Sequence, residues 1–305
     1  MPYSSPMRHL WNTLLCLTFS TAAYATPLQF QPGASATYEV SQTIDLDRNL
    51  LGYPISIQSD STIVFDLKIL SADPKTNSFP YMVEVILRSA KISEKQKSIA
   101  TTKFNFDSTK PSAALVDDDD PAVIYTDLID RSLRFTIWNE FQIEETSGYL
   151  AISNQVHSSP TPTGLFGTTL WGYEFLLTQI FHLADQNLEA GQKYPVSCYQ
   201  LLNWEDVPLE KIAISMSQSS NYHIESIDSD KIVGAWEGSA TVVRTCGDYN
   251  GCVSITGNTI WNPENSLSQE HHLSAAIQET HDGIVTITNK MRLQQHFKTL
   301  RGSAP

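Results

Sequence analysis

The sequence predicts a β-rich α+β protein: a large curved antiparallel sheet, or two stacked sheets, with one or two helices packed on its concave face. Three observations support this class. Stretches of alternating apolar and polar residues occur in both halves of the chain, and two stretches near the middle have helical spacing. Hydrophobic residues make up 41% of the sequence, which is enough to form a buried core.

The first 25 residues have the pattern of a secretory signal peptide. Arg8 precedes a short apolar stretch, 10–19, and Ala23-Tyr24-Ala25 supplies the small residues at which a signal peptidase cleaves. A membrane-spanning helix needs about 20 apolar residues, more than this stretch has. We therefore expect residues 1–25 to be removed and the mature chain to have no transmembrane segment. The expected location is periplasmic or extracellular.

The charge of the chain excludes one class of partner. The formal net charge is −13, and Lys and Arg are not clustered anywhere. Because binding to phosphate backbones depends on clustered basic residues, we expect no nucleic-acid partner.

An N-terminal antiparallel half is predicted over residues 26–157. Alternation predicts strands at 36–44, 61–69, 81–87 and 101–107. Pro121 opens a stretch with helical spacing, which predicts a short helix near 121–133. A segment rich in Pro, Ser and Thr, 158–164, follows and marks the clearest internal boundary.

A second half is predicted over residues 165–300, beginning with a central buried helix at 168–184. Apolar residues lie nearly all round this helix, so we expect sheet on more than one side of it or an apolar cavity beneath it. Further strands are predicted after it, and Asp282-Gly283 predicts a hairpin turn between the last two.

Cys246 and Cys252 enclose a loop rich in turn-forming residues, between two segments that alternate as strands. This pattern predicts a β-hairpin, and an oxidising compartment favours a disulfide between the two cysteines.

The histidine-rich stretch near the C-terminus is the main candidate for metal ligands. Glu270-His271-His272 and His281-Asp282 have suitable side chains. In a strand, however, His271 and His272 point to opposite faces, and only a hairpin or another segment would bring ligands together. We therefore predict no metal site, and no sequence signature indicates a cofactor or a catalytic centre.

The aromatic and apolar residues of the predicted central helix are the candidate ligand-binding residues: Trp171, Phe175, Leu177 and Phe181. They have two interpretations. One is core packing between helix and sheet, and the other is an apolar groove under the helix that holds a lipid-like ligand or an envelope protein partner.

Several short segments resemble bacterial secreted domains of unknown function. They are Tyr38-Glu-Val40, Phe104-Asn-Phe106-Asp107-Ser108, and the stretch from Leu177 to Ala184 followed by Gly191-Gln-Lys-Tyr194. The resemblance implies no residue roles, because those domains have no assigned active site. The architecture is also similar to that of periplasmic lipoprotein carriers, in which helices plug a curved sheet.

These observations favour a non-catalytic binding protein outside the cytoplasm. Two alternatives remain open: a structural or adhesive envelope protein, and a hydrolase whose site has no recognisable motif. Converging His, Ser or carboxylate side chains in a cleft would support the hydrolase.

Overall fold

The computed structural model describes most of the chain outside its N-terminus and the region around residues 148–213. The described residues are 26–50, 52–72, 81–110, 121–139, 142–147, 176–177, 179–181, 183–184, 186–195, 214–218, 221–244, 248–282 and 286–303. The predicted signal peptide, 1–25, and the Pro-rich segment, 158–164, lie outside them.

Antiparallel strands make up most of the described chain. Those of the first half are β1 (Thr26–Pro27), β2 (Ser35–Leu50), β3 (Tyr53–Ala72), β4 (Tyr81–Lys97), β5 (Thr101–Asp107), β6 (Ser132–Asn139) and β7 (Gln142–Ser147). Those of the second half are β8 (Asn187–Leu188), β9 (Lys193–Pro195), β10 (Ile214–Gln218), β11 (Asn221–Ile227), β12 (Ile232–Arg244), β13 (Asp248–Trp261), β14 (Ser268–Asp282) and β15 (Thr286–Ser303).

One large sheet contains strands from both halves of the chain. Its order is β7-β6-β4-β3-β2-β15-β14-β13-β12-β11-β9, with β5 beside β4 and β10 beside β12. The first long strand, β2, pairs with the last, β15, from Leu50 opposite Ile287 to Ser35 opposite Ser303. The two halves therefore share one sheet through this pairing, while β1 and β8 form a separate two-stranded sheet.

The strands form because their side chains alternate between a buried and an exposed face. In β2 the even-numbered residues from Ala36 to Leu46 are buried, and in β3 the odd-numbered residues from Ile57 to Ile69 are buried. The inner face is the hydrophobic core, which includes the fully buried Tyr38, Phe65 and Trp261. Alternation of this kind fixes the register, because a slip of one residue would expose every core side chain.

The expected α+β class, with helices packed on a concave face, is wrong. Apart from one helix, α1 (Pro121–Leu128), and the helical residues 176–177 and 179–181, the regular structure of the described residues is antiparallel strand. The helix predicted near 121–133 ends at Leu128 because the following residues, from Ser132 on, pair with β4 instead. Neither helical stretch in the described chain has the length and apolar character of a membrane-spanning helix.

The strands are also longer than the alternation predicted. The first three long strands contain 16, 20 and 17 residues. Their inner faces include polar residues, among them Gln42, Ser59, Ser61 and Glu94, all of which are buried. The strand predicted at 61–69 begins after the inward-facing Ser59, and the strand predicted at 81–87 ends where the buried face of β4 changes from odd-numbered to even-numbered residues.

Gly257 in β13 allows a close approach between two neighbouring strands. A Cβ atom at this position would overlap the backbone carbonyl oxygen of His272 in β14. At Gly302 in β15, by contrast, the nearest heavy atoms would lie 3.8 Å from an added Cβ, which is ordinary van der Waals contact.

We expect Gly257→Ala to lower the free energy of unfolding by about 1–3 kcal/mol, because the added methyl group forces β13 and β14 apart. Gly302→Ala is the matched control, with an expected change within about 0.5 kcal/mol. Urea denaturation of the chain from residue 26 on checks both values. Equal stabilities of the two variants would contradict the tight contact at Gly257.

Candidate functional site

The structure describes two of the four predicted ligand-binding residues. Leu177 and Phe181 are 1% and 0% exposed, respectively. The ring of Phe181 packs against those of Phe30 and Tyr81, with centroid distances of 4.4 Å and 5.8 Å. These contacts show core packing at Phe181. Trp171 and Phe175 lie outside the described residues, so an apolar groove at this helix stays a prediction.

The segments on either side of the two cysteines pair as β12 and β13, from Ile232 opposite Trp261 to Val243 opposite Asn250. The loop predicted between Cys246 and Cys252 is wrong, because Asp248 to Gly251 belong to β13. In this register Cys252 lies opposite Thr241. Cys246 lies outside the described residues, so the disulfide stays a prediction.

Eight polar side chains form two rows across the outer face of β13, β14, β15 and β2, and we call this set the polar grid. One row consists of Asn258, His272, His296 and Ser41, each opposite the next in register. The other row consists of Thr256, Ser274, Gln294 and Thr43. Neighbouring strands lie about 4.8 Å apart, and the two rows are separated by about 7 Å along the strands.

A groove of about 560 Å³ lies over the polar grid. Its lining includes all eight side chains of the grid and contains no Lys, Arg, Asp or Glu. Charged residues border the grid. Glu237 lies opposite Thr256 and Asp60 lies opposite Thr43 at the ends of the second row, and Glu270 lies beside the two histidines of the first row. The groove therefore offers uncharged hydrogen-bond donors and acceptors, with two imidazole rings among them.

Glu270 adds a carboxylate beside the two histidines of the grid. Its Oε1 lies 2.9 Å from Nε2 of His272 and 3.2 Å from Nε2 of His296. The two imidazole rings are stacked, with centroids 4.0 Å apart and planes within 5° of parallel. Among the residues that the structure describes, these three form a cluster of side chains that could hold a metal ion.

The two histidines alter the acidity of Glu270. Hydrogen bonds from His272 and then from His296 hold the pKa of its carboxyl group below the ordinary value of 4.5, although partial burial acts in the opposite direction. The carboxylate therefore stays ionised to lower pH than an isolated glutamate would.

His271, the next residue of β14, faces the core and belongs to a chain of buried hydrogen bonds. Its Nδ1 lies 2.6 Å from Oγ1 of Thr259, and its Nε2 lies 2.8 Å from Oε1 of Gln179. Thr259 also contacts the hydroxyl of Tyr222, whose pKa is raised by burial. A neutral imidazole satisfies this chain: Tyr222 donates to Thr259, Thr259 donates to Nδ1, and Nε2–H donates to Gln179.

The prediction that His271 and His272 point to opposite faces is confirmed by their burial and exposure. The pattern within single strands nevertheless did not reveal the polar grid or the role of His296. The sequence did contain a signal for His296. The turn predicted at Asp282-Gly283 makes the next strand, β15, the partner of β14. Within the sequence of β14 alone no ligands converge, whereas the pairing of β14 with β15 brings three together.

No protein-family model and no curated protein matches the chain. The solved structures that align with it at low similarity include the following three. The translocator domain of the autotransporter NalP from Neisseria meningitidis is 7% identical, with 88% of each chain covered and a TM-score of 0.23. OccK7 from Pseudomonas aeruginosa is 6% identical, with 88% of this chain and 100% of that chain covered and a TM-score of 0.23. An outer membrane channel from Pseudomonas putida is 9% identical, with 92% and 98% covered and a TM-score of 0.20. At these TM-scores the likeness carries no argument.

We expect His271→Phe to destabilise the fold much more than His272→Phe. The first change removes both buried hydrogen bonds of the ring, at a cost of roughly 1–3 kcal/mol for each partner. The second change removes a half-exposed contact with Glu270, which contributes less than about 1 kcal/mol. Urea denaturation checks this difference. A double-mutant cycle with Thr259→Val should give a coupling of at least about 0.5 kcal/mol, and strict additivity would contradict the bond between Thr259 and His271.

The Glu270 carboxyl group should titrate below pH 4.5 in the folded protein. The stability that its ionised form contributes is present above the unfolded value of 4.5 and is lost as the pH falls through the lower folded pKa. Because the group is partly exposed, this contribution should stay below about 1 kcal/mol. A carbon-detected NMR titration of the Glu270 side chain measures the midpoint. His272→Gln should move it back towards 4.5, and a wild-type midpoint above 4.5 would contradict the hydrogen-bond geometry.

Proposed function

We propose that this chain is a non-catalytic binding protein of the bacterial cell envelope, and that it binds a neutral, hydroxyl-rich ligand such as an oligosaccharide on the polar grid. The observation that carries the proposal is the uncharged, polar lining of the groove in a chain of net charge −13. Amide and hydroxyl side chains both donate and accept hydrogen bonds, which suits the hydroxyl groups of a sugar. The Nδ1 atoms of the two imidazole rings add further hydrogen-bonding groups, since the Nε2 atoms face Glu270.

The extent of the polar grid also supports an extended ligand. The grid spans four neighbouring strands, so its residues on β13 and its residues on β2 lie about 14 Å apart. All eight side chains come from strands paired in continuous register around the grid, so little ordering is needed on binding. A lipid-like ligand fits this surface less well, since burying its apolar chain would desolvate amide and hydroxyl groups without replacing their hydrogen bonds.

Two predictions from the sequence support the placement in the envelope. The signal-peptide pattern of residues 1–25 predicts export across the inner membrane, and the resembling domains are bacterial secreted proteins. A disulfide between Cys246 and Cys252 would be compatible with an oxidising compartment.

The test is a binding screen of the mature chain against neutral oligosaccharides, namely cello-, malto-, xylo- and chito-hexaose, followed by amide chemical shifts. We expect saturable binding of at least one of them, with the largest shifts in β13, β14, β15 and β2. Asn258→Ala and Gln294→Ala should each weaken that binding about three- to tenfold, because each removes hydrogen bonds to the sugar.

Gln278→Ala is the matched control, because Gln278 is an exposed residue of β14, one of the four strands of the grid, but lies beyond the grid. Its affinity should equal that of the wild type. The proposal fails if none of the four oligosaccharides binds, or if Asn258→Ala and Gln294→Ala leave the affinity unchanged.

A further inference from the structure

We infer that Glu270, His272 and His296 form a binding site for a divalent transition metal, with Zn²⁺ as the reference ion, on the exposed face of the β14–β15 hairpin. This inference goes beyond the proposed function, because a metal can bind here whether or not the groove takes an oligosaccharide. It also replaces the expectation that the chain has no metal site.

The ligand atoms already converge on a small volume. In tetrahedral zinc sites with bonds of about 2.0–2.1 Å, neighbouring ligand atoms lie about 3.3 Å apart. The Glu270 oxygen lies 2.9 Å and 3.2 Å from the two imidazole nitrogens, and all three atoms lie within 4.8 Å of one another. Small side-chain adjustments would let an ion take the place of the two N–H hydrogens that now point at the carboxylate.

The backbone holds these side chains in place. His272 and His296 are directly opposite each other, and Glu270 lies two residues before His272 on the same face of β14. The β14–β15 pairing continues without interruption from Glu270 opposite Lys298 to Asp282 opposite Thr286. Ligands on paired strands are more precisely positioned than ligands on loops.

The donor set determines which ions fit. Two imidazole nitrogens and one carboxylate oxygen suit Zn²⁺ and its neighbours Co²⁺, Ni²⁺ and Cu²⁺, whereas Mg²⁺ and Ca²⁺ prefer oxygen ligands alone. The three side chains are 39% to 48% exposed, so solvent can reach the remaining coordination positions. Such a site has three protein ligands and an open position.

The charges around the site are nearly balanced. Lys298 lies opposite Glu270 in β15, and Glu39 lies opposite Lys298 in β2. The lysine opposes the binding of a cation, while the nearby glutamate offsets its charge. The affinity should therefore come mainly from the three ligands and not from a general attraction of cations to an acidic surface.

The test is isothermal titration of ZnCl₂ into the mature chain, produced without a polyhistidine tag and freed of metal with a chelator. We expect one saturable site in the micromolar range. His272→Gln and His296→Gln should each weaken binding at least tenfold, and Glu270→Gln several-fold. MgCl₂ and CaCl₂ should give no saturable binding.

His223→Gln is the matched control, since His223 is an exposed histidine of β11 outside the cluster. It should bind Zn²⁺ like the wild type. Imidazole ¹⁵N shifts give a second readout, in which Zn²⁺ should move Nε2 of His272 and His296 but not the ring of His223. Far-UV circular dichroism confirms that each variant is folded.

The inference is overturned if no Zn²⁺ binds below millimolar concentration, or if His272→Gln and His296→Gln both bind as the wild type does. Either result leaves the oligosaccharide screen intact, because that screen is carried out without metal. Conversely, failure of every oligosaccharide to bind leaves the titration with ZnCl₂ as a separate measurement.

Discussion

The pairing of β2 with β15 is the interaction on which the rest of the structure depends. It joins the first long strand of the chain to the last, and through it the strands of the two halves become one sheet. Four of the eight residues of the polar grid lie on these two strands. Without this pairing Ser41 and Thr43 would not lie beside His296 and Gln294. Pairing of such distant parts of a chain is intrinsically slow, because closing the long loop costs entropy before the contact can contribute.

One strand, β14, places functional groups on both faces of the sheet. His271 points inward and bonds to Thr259 and Gln179, while His272 points outward beside Glu270. The inward bonds hold the strand from the core side. Because adjacent residues of a strand move together, the position of His271 also fixes that of His272. The exposed cluster is thus supported by buried hydrogen bonds as well as by its own contacts.

The sequence predicted the strands better than it predicted the site. Alternation located β2 to β5, but it underestimated the length of the long strands, for example in β3, where Ser59 faces inward just before the predicted start at 61. The site depends on cross-strand register, which the length of a loop sets. A register shifted by two residues would place His272 opposite Gln294 instead of His296 and would still keep every side chain on its own face of the sheet. Hydrophobic periodicity contains no information about a shift of two residues, because such a shift leaves the alternation in place.

In the region of the polar grid, both faces of the sheet contain polar side chains, so the register of the strands needs a further constraint there. Beneath the grid, Gln42 and Gln295 lie opposite each other on the inner face, where an apolar pair would otherwise be expected. Register is weakly specified where both faces are polar. The side-chain amide of Gln295 donates to Oε1 of Gln42 at 3.3 Å, and His271 bonds to Thr259 across β13 and β14. A one-residue slip would break both bonds inside the core, where lost hydrogen bonds are costly. These inward hydrogen bonds act together with the buried apolar residues on either side of them, such as Val40, Ile44 and Leu293, to align the outer rows that form the grid.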